Sequence, residues 1–233
     1  TMASLVANTV PMLNAPQLAQ VTRELAQQRS FSPPHVQSVL DQHAVTMPQT
    51  KFLQLQRSLV TIPILQRLAP EATPVQLARV TTELMHIRSP PTASALHAVL
   101  AKHALALSPF TLTELQYSIV TAPLVSNILP SLSTLQLSDF THTLAQQPVT
   151  TLSTLKGLFP SQSLGISRPE LKTLGKGLVT TPVLMRMMPE LSSTQVTALS
   201  QDIAKLRVPS IQALHEVFQT HGLRARDSAL YAL

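Results

Sequence analysis

Apolar residues in this chain fall three and four positions apart, in short stripes that return at a fixed interval. Leu18/Val21/Leu25 is followed by Leu77/Val80/Leu84, Leu137/Phe140/Leu144 and Val196/Leu199/Ile203. That spacing is the buried face of an amphipathic helix, not the alternation of a strand. In front of the stripes stand Asn14, Thr73, Ser133 and Ser192, each with a glutamine three residues on: Gln17, Gln76, Gln136 and Gln195. In such a capping box the first side chain accepts an orphan backbone N–H and the glutamine reaches back, so a helix is predicted to begin at each site. A second helix is predicted after the N-cap residues Ser32, Thr92, Thr151 and Ser210, with stripes Val36/Val39/Leu40, Leu96/Val99/Leu100, Leu155/Leu158/Phe159 and Leu214/Val217/Phe218.

A third helix is predicted from near Pro48, Ser108 and Ser167, carrying Phe52/Leu55/Leu59, Leu112/Leu115/Ile119 and Leu171/Leu174/Leu178. Each of these runs into a Leu/Ile-Val-Thr-x-Pro cluster ending at Pro63, Pro123 and Pro182, with a second proline seven residues later at Pro70, Pro130 and Pro189. Proline disfavours the α conformation in the residue before it and removes a helical N–H, but it suits a first turn. The first proline of each pair is therefore expected to end the third helix and open a short fourth one.

Pro11, Pro70, Pro130 and Pro189 lie 59, 60 and 59 residues apart. A helical pattern that repeats at such a period predicts an all-α fold, an α-solenoid of helical hairpins with four helices per repeat of about 59 residues. The expected divisions are 1–10 (partial), 11–69, 70–129, 130–188 and 189–233 (partial). Ser4 to Val10 match a fourth helix, and Leu230 and Leu233 match Leu112 and Leu115, so the pattern enters and leaves in mid-repeat and reads as a segment of a longer array.

Composition adds constraints. Charged residues make up 12% and hydrophobic ones 44%, enough apolar surface to build a core and too much for intrinsic disorder. The absence of cysteine excludes disulfides, thiolate metal sites and cysteine nucleophiles. Leu115 to Ser138 carries no charge, yet its prolines and many hydroxyl and amide side chains mark it as core rather than a membrane span, and no membrane partner is expected. No motif calls for a cofactor or a metal. The recurring His43, His103 and His221, with Gln162 in the remaining repeat, are too far apart in a stacked array to converge on an ion, and read as hydrogen-bonding residues near helix ends. Leu174-Gly175-Lys176-Gly177 lacks the spacing of a phosphate loop and reads as a close helix contact. No nucleophile motif organises the Ser, His and acidic residues, so catalysis is not expected.

The net charge is +6, and some basic residues recur in register. Arg29, Arg88 and Arg207 align at the end of the first helix, Arg67 and Arg186 before the second proline, and Arg57 and Lys176, with Tyr117 between them, on the third helix. In a solenoid a repeated position becomes a line along the surface, and a line of cations suits a nucleic-acid backbone. Arginine near a helix C-terminus also complements the macrodipole without any ligand. Phe52, Phe140, Phe159 and Phe218 are expected in the core, leaving Phe31, Phe110, Tyr117 and Tyr231 for the surface.

The pattern Ser/Thr-x-x-Gln/Glu-Leu-x-x-Val/Leu-x-x-x-Leu, seen in Ser133 to Leu144 and echoed in Ser167 to Leu178, resembles the helical hairpins of organellar RNA-binding repeat proteins of the octotricopeptide and heptatricopeptide groups. The resemblance implies a mitochondrial matrix location and work in RNA processing, as in kinetoplastid RNA-editing assemblies or in mitoribosome assembly. On that reading the chain is a non-catalytic subunit whose partners are RNA, other protein subunits or both, the alternative being a pure protein scaffold or assembly factor without direct RNA contact. The groups' base-reading positions do not carry over to this chain.

Overall fold

The computed structural model describes residues 2–11, 13–28, 31–87, 91–146, 152–158, 166–188, 190–223 and 230. Among them every regular element is helical. A short helix, α1 (Met2–Thr9), is followed by trios whose first and last helices have 13 and 20 residues: α2 (Ala15–Gln27), α3 (Pro33–Gln42) and α4 (Gln49–Leu68); α5 (Pro74–His86), α6 (Ala93–Lys102) and α7 (Pro109–Ile128); α8 (Thr134–Gln146), α9 (Leu152–Leu158) and α10 (Arg168–Met187). A final pair, α11 (Ser193–Lys205) and α12 (Ile211–Thr220), repeats the first two members.

The starts follow the caps. Asn14, Thr73 and Ser192 close full capping boxes with Gln17, Gln76 and Gln195, and Ser133 and Gln136 exchange the same two bonds at 2.9 and 3.2 Å. Thr92, Ser108, Ser167 and Ser210 also cap with their side chains, Ser167 in a full box with Glu170. Ser32 departs from expectation, since its hydroxyl lies against His35 Nδ1 at 2.5 Å and not on a backbone N–H; Thr151 lies outside the described residues. Helices α3, α6 and α12 stop in one way. Ala44, Ala104 and Gly222 take a left-handed conformation, while Val45, Leu105 and Leu223 donate back to Leu40, Leu100 and Phe218 at 2.9 Å, a Schellman closure.

The third and fourth helices of the expected repeat are one. Pro63, Pro123 and Pro182 sit inside continuous 20-residue helices, so the trio replaces the expected quartet. The second proline of each pair is the terminator: Ala69, Leu129 and Met188, which precede Pro70, Pro130 and Pro189, leave the helix at φ −133°, −120° and −133°. An interior proline costs about 3 kcal/mol. Burial overrides that cost, because Val60, Ile62, Ile64 and Leu65, and Val120, Ala122, Leu124 and Val125, are all in the core on both sides of the proline. The threonine of the motif is satisfied within its own helix. Thr61, Thr121 and Thr180 donate to the carbonyls of Arg57, Tyr117 and Lys176 at 2.8, 2.8 and 2.9 Å, which lets a hydroxyl pack at a helix crossing.

The long helices form the spine. α4 packs on α7 and α7 on α10; each also meets the first helix of the next trio, and α4 and α7 reach the first helix one trio further, α8 and α11. α1 takes the place of a long helix, against α2, α4 and α5. Contacts between elements far apart in sequence include hydrogen bonds from Gln56 to Asn127 at 2.9 Å and from Thr197 to the Val120 carbonyl at 3.3 Å. α10 approaches α7 closely at Gly177, where a Cβ would lie 3.0 Å from Leu124 Cδ2. This is the close contact that the glycines of the Leu174–Gly177 run suggested. No helix among the described residues is long and apolar enough to cross a membrane.

Candidate functional site

The basic residues proposed as a surface line divide into three groups. Arg29 and Arg88 lie outside the described residues. Arg186 and Arg207 are exposed and form no ion pair with a described residue. The other three have partners in or at the end of other helices, Arg67 in an exposed pair. Arg67 pairs with Asp139 of α8 at 2.7 Å. Lys176 donates to the carbonyl of Leu206, the C-cap of α11, at 2.6 Å. Arg57 is only 8% exposed and donates through Nη1 to Thr194 Oγ1 of α11 at 2.7 Å.

Arg57 and Lys176 are therefore corrections to the surface line. The position shared by Arg57, Tyr117 and Lys176 faces inward, and in Lys176 it serves the negative carboxyl end of the next first helix. Burial lowers the Arg57 pKa to about 10, which keeps it charged at neutral pH, and pushes the Tyr117 hydroxyl up to about 12. Phe31 is a second correction, being buried, whereas Phe110 is 61% exposed; Phe159 and Tyr231 lie outside the described residues. Phe52, Phe140 and Phe218 are core.

The recurring histidines have a structural assignment. His43, His103 and His221 are the C-caps of α3, α6 and α12, and each lies against an acid of its own hairpin: Glu24 at 2.9 Å, Glu83 at 3.0 Å and Asp202 at 2.9 Å. The first approach is off the hydrogen-bonding line, so His43 Nε2 is close to Glu24 without a directed bond. Lys102 and Lys205 add contacts of 2.8 Å to Glu83 and Asp202. For Glu83 the Lys102 bond is the largest effect; with His103 it outweighs the opposing burial and lowers the carboxyl pKa. For Asp202 burial is the largest effect and raises the pKa, but the bonds from Lys205 and His221 together overcome it and the net shift is downward.

Sequence reading found the histidines and missed their acids. The signal was present: Glu24, Glu83 and Asp202 precede His43, His103 and His221 by 19, 20 and 19 residues, and the third trio has neutral Thr143 and Gln162 at the corresponding pair. Among the described residues no group of three or more metal-ligating side chains converges.

A half-open cavity of about 240 Å³ lies where α4, the end of α5 and the start of α11 meet, lined by Thr50, Gln54, Arg57, Met85, His86 and Thr194. Exposed apolar side chains recur as well. Val75 and Leu135 occupy the same first-turn position of α5 and α8, 57% and 71% exposed.

The fold and these sites define an all-helical protein with recurring helix trios. No family model matches the chain, and no curated protein or solved structure matches it at a significant level.

Proposed function

We propose that the chain is an α-solenoid with a repeat of about 59 residues, and that it works as a non-catalytic scaffold whose extended surface docks other protein subunits. The observation that carries this reading is that Arg57 is buried, Lys176 is half-buried against the Leu206 carbonyl, and Arg67, though exposed, is neutralised by Asp139, which breaks the continuous line of free cations a nucleic-acid backbone would need. The solenoid reading is supported by the stacking of each long helix on the next and by the exposed area. The chain exposes 12090 Å², against roughly 10,300 Å² expected for a compact monomer of 25.3 kDa. Coverage of the long helices supports it too. Val120 is buried where α11 passes over α7, its carbonyl accepting from Thr197, while the matching Val179 of α10 is 57% exposed.

We infer, from the resemblance to organellar helical-repeat proteins alone, that such a scaffold would serve a mitochondrial RNA-processing, RNA-editing or mitoribosome-assembly complex. A second reading, direct contact with RNA, is favoured by Arg186 and Arg207, exposed and without an ion pair to a described residue on a chain of net charge +6. Val75→Glu with Leu135→Glu tests the scaffold. Both sites are exposed, so helical content and melting temperature should be unchanged while partner subunits are lost from the native assembly. Retention of every partner by the folded double variant would contradict the reading.

A further inference from the structure

We propose that the cavity between α4, α5 and α11 binds the phosphate group of a small molecule, with the Arg57 guanidinium as its principal contact. Arg57 is more than nine-tenths buried and lines the cavity. Only Nη1 has a partner, the neutral hydroxyl of Thr194; Nε is buried with none. A guanidinium offers five donors in a planar fork suited to phosphate and carboxylate oxygens, and a buried cation without an anion is costly. Yet of the chain's 11 acidic residues, all but Asp227 are described, and none of these pairs with Arg57. The helix ends do not supply the missing charge. The carboxyl end of α5 offers roughly half a negative charge, and the amino end of α11, where Thr194 sits, adds about the same amount of positive.

The rest of the lining is rich in donors. Thr50 and Gln54 carry side-chain donors without partners, and the Thr194 hydroxyl, which accepts from Arg57, retains its own proton to give. His86 donates Nδ1–H to the Thr82 carbonyl at 2.7 Å, so in the neutral ring Nε2 is an acceptor, suited to a protonated phosphate oxygen and not to a bare one. The cavity of about 240 Å³ exceeds a bare phosphate group, and Met85 gives its wall an apolar part, so the phosphate is expected to come on an organic carrier. The site shares Arg57 with the argument against a surface cation line but uses no residue of the proposed docking positions Val75 and Leu135, so a small-molecule titration tests it apart from the scaffold reading.

The test is a melting-temperature and 31P NMR titration of the whole chain with inorganic phosphate, glycerol phosphate and acetate, against sodium chloride at equal ionic strength. Saturable stabilisation by inorganic phosphate, with glycerol phosphate at least as tight and acetate without saturation, is expected. Arg57→Met should lose affinity by at least about tenfold, while the exposed-site control Lys172→Met keeps it. Should Arg57→Met fail to fold, Thr194→Val and Gln54→Leu, which leave the guanidinium in place, should each weaken binding. No saturation with wild type, equal binding by a folded Arg57→Met, weaker binding of glycerol phosphate than of inorganic phosphate, or equal saturation with acetate would each overturn the proposal.

Discussion

At the scale of single residues, the conformation that ends the second helices has a measurable cost. Ala44 and Ala104 hold φ of 52° and 55°, where an L side chain is disfavoured by about 1–2 kcal/mol and glycine is not. Gly222 already occupies the matching place. Ala44→Gly and Ala104→Gly should each stabilise by about 0.5–1 kcal/mol in urea unfolding, after the added freedom of the unfolded chain is counted. Unchanged or lowered stability would contradict the left-handed closure. The acid–histidine pairs predict a pH response. Glu83 and Asp202 have carboxyl pKa values below their ordinary 4.5 and 3.8. A depressed carboxyl stabilises the fold above its unfolded pKa, and that stability is lost as pH falls through the lower folded value. The melting temperature should therefore begin to drop as pH falls below about 4.5, and Glu83→Gln with Asp202→Asn should make that drop shallower. An equal acid response in the double variant would show that these pairs do not couple to folding.

At the scale of elements, the capping boxes, helix starts and buried stripes were legible because each depends on neighbours within one or two turns. Phe52/Leu55/Leu59, Leu112/Leu115/Ile119 and Leu171/Leu174/Leu178 are all buried as expected. The proline was misjudged for a physical reason. Its steric rule is local, whereas the force that carries the helix through Pro63, Pro123 and Pro182 is tertiary burial on both sides, which a single sequence does not display. The inward position of Arg57 had a sequence signal in its alignment with Tyr117, whose apolar ring favours burial. The two glycines of α10 test the packing directly. A Cβ on Gly175 would meet Leu155 at an ordinary 3.6 Å, so Gly175→Ala should stabilise by about 0.5–1 kcal/mol through helix propensity. Gly177→Val should destabilise by about 1–3 kcal/mol, because Leu124 already stands 3.0 Å from the Cβ position. Equal effects at the two sites in denaturant unfolding would mean that α10 does not approach α7 closely at Gly177.

At the scale of the whole molecule, recurrence in sequence becomes recurrence in space, but not every recurring residue faces outward. The cations that repeat on the long helices tie one trio to another, Arg67 of the first to Asp139 of the third and Lys176 of the third to Leu206 at the end of α11, and their register reflects stacking before it reflects a ligand. Among the described members of the basic set, Arg186 and Arg207 remain exposed and without an ion pair. The most direct measurement is the salt dependence of RNA affinity for wild type and for Arg186→Glu with Arg207→Glu, both checked for helical content. The scaffold account predicts the same log–log slope and the same affinity for the two proteins. A folded double variant whose slope is shallower by roughly two units, about one per lost phosphate contact, would contradict it and move the function to direct RNA binding.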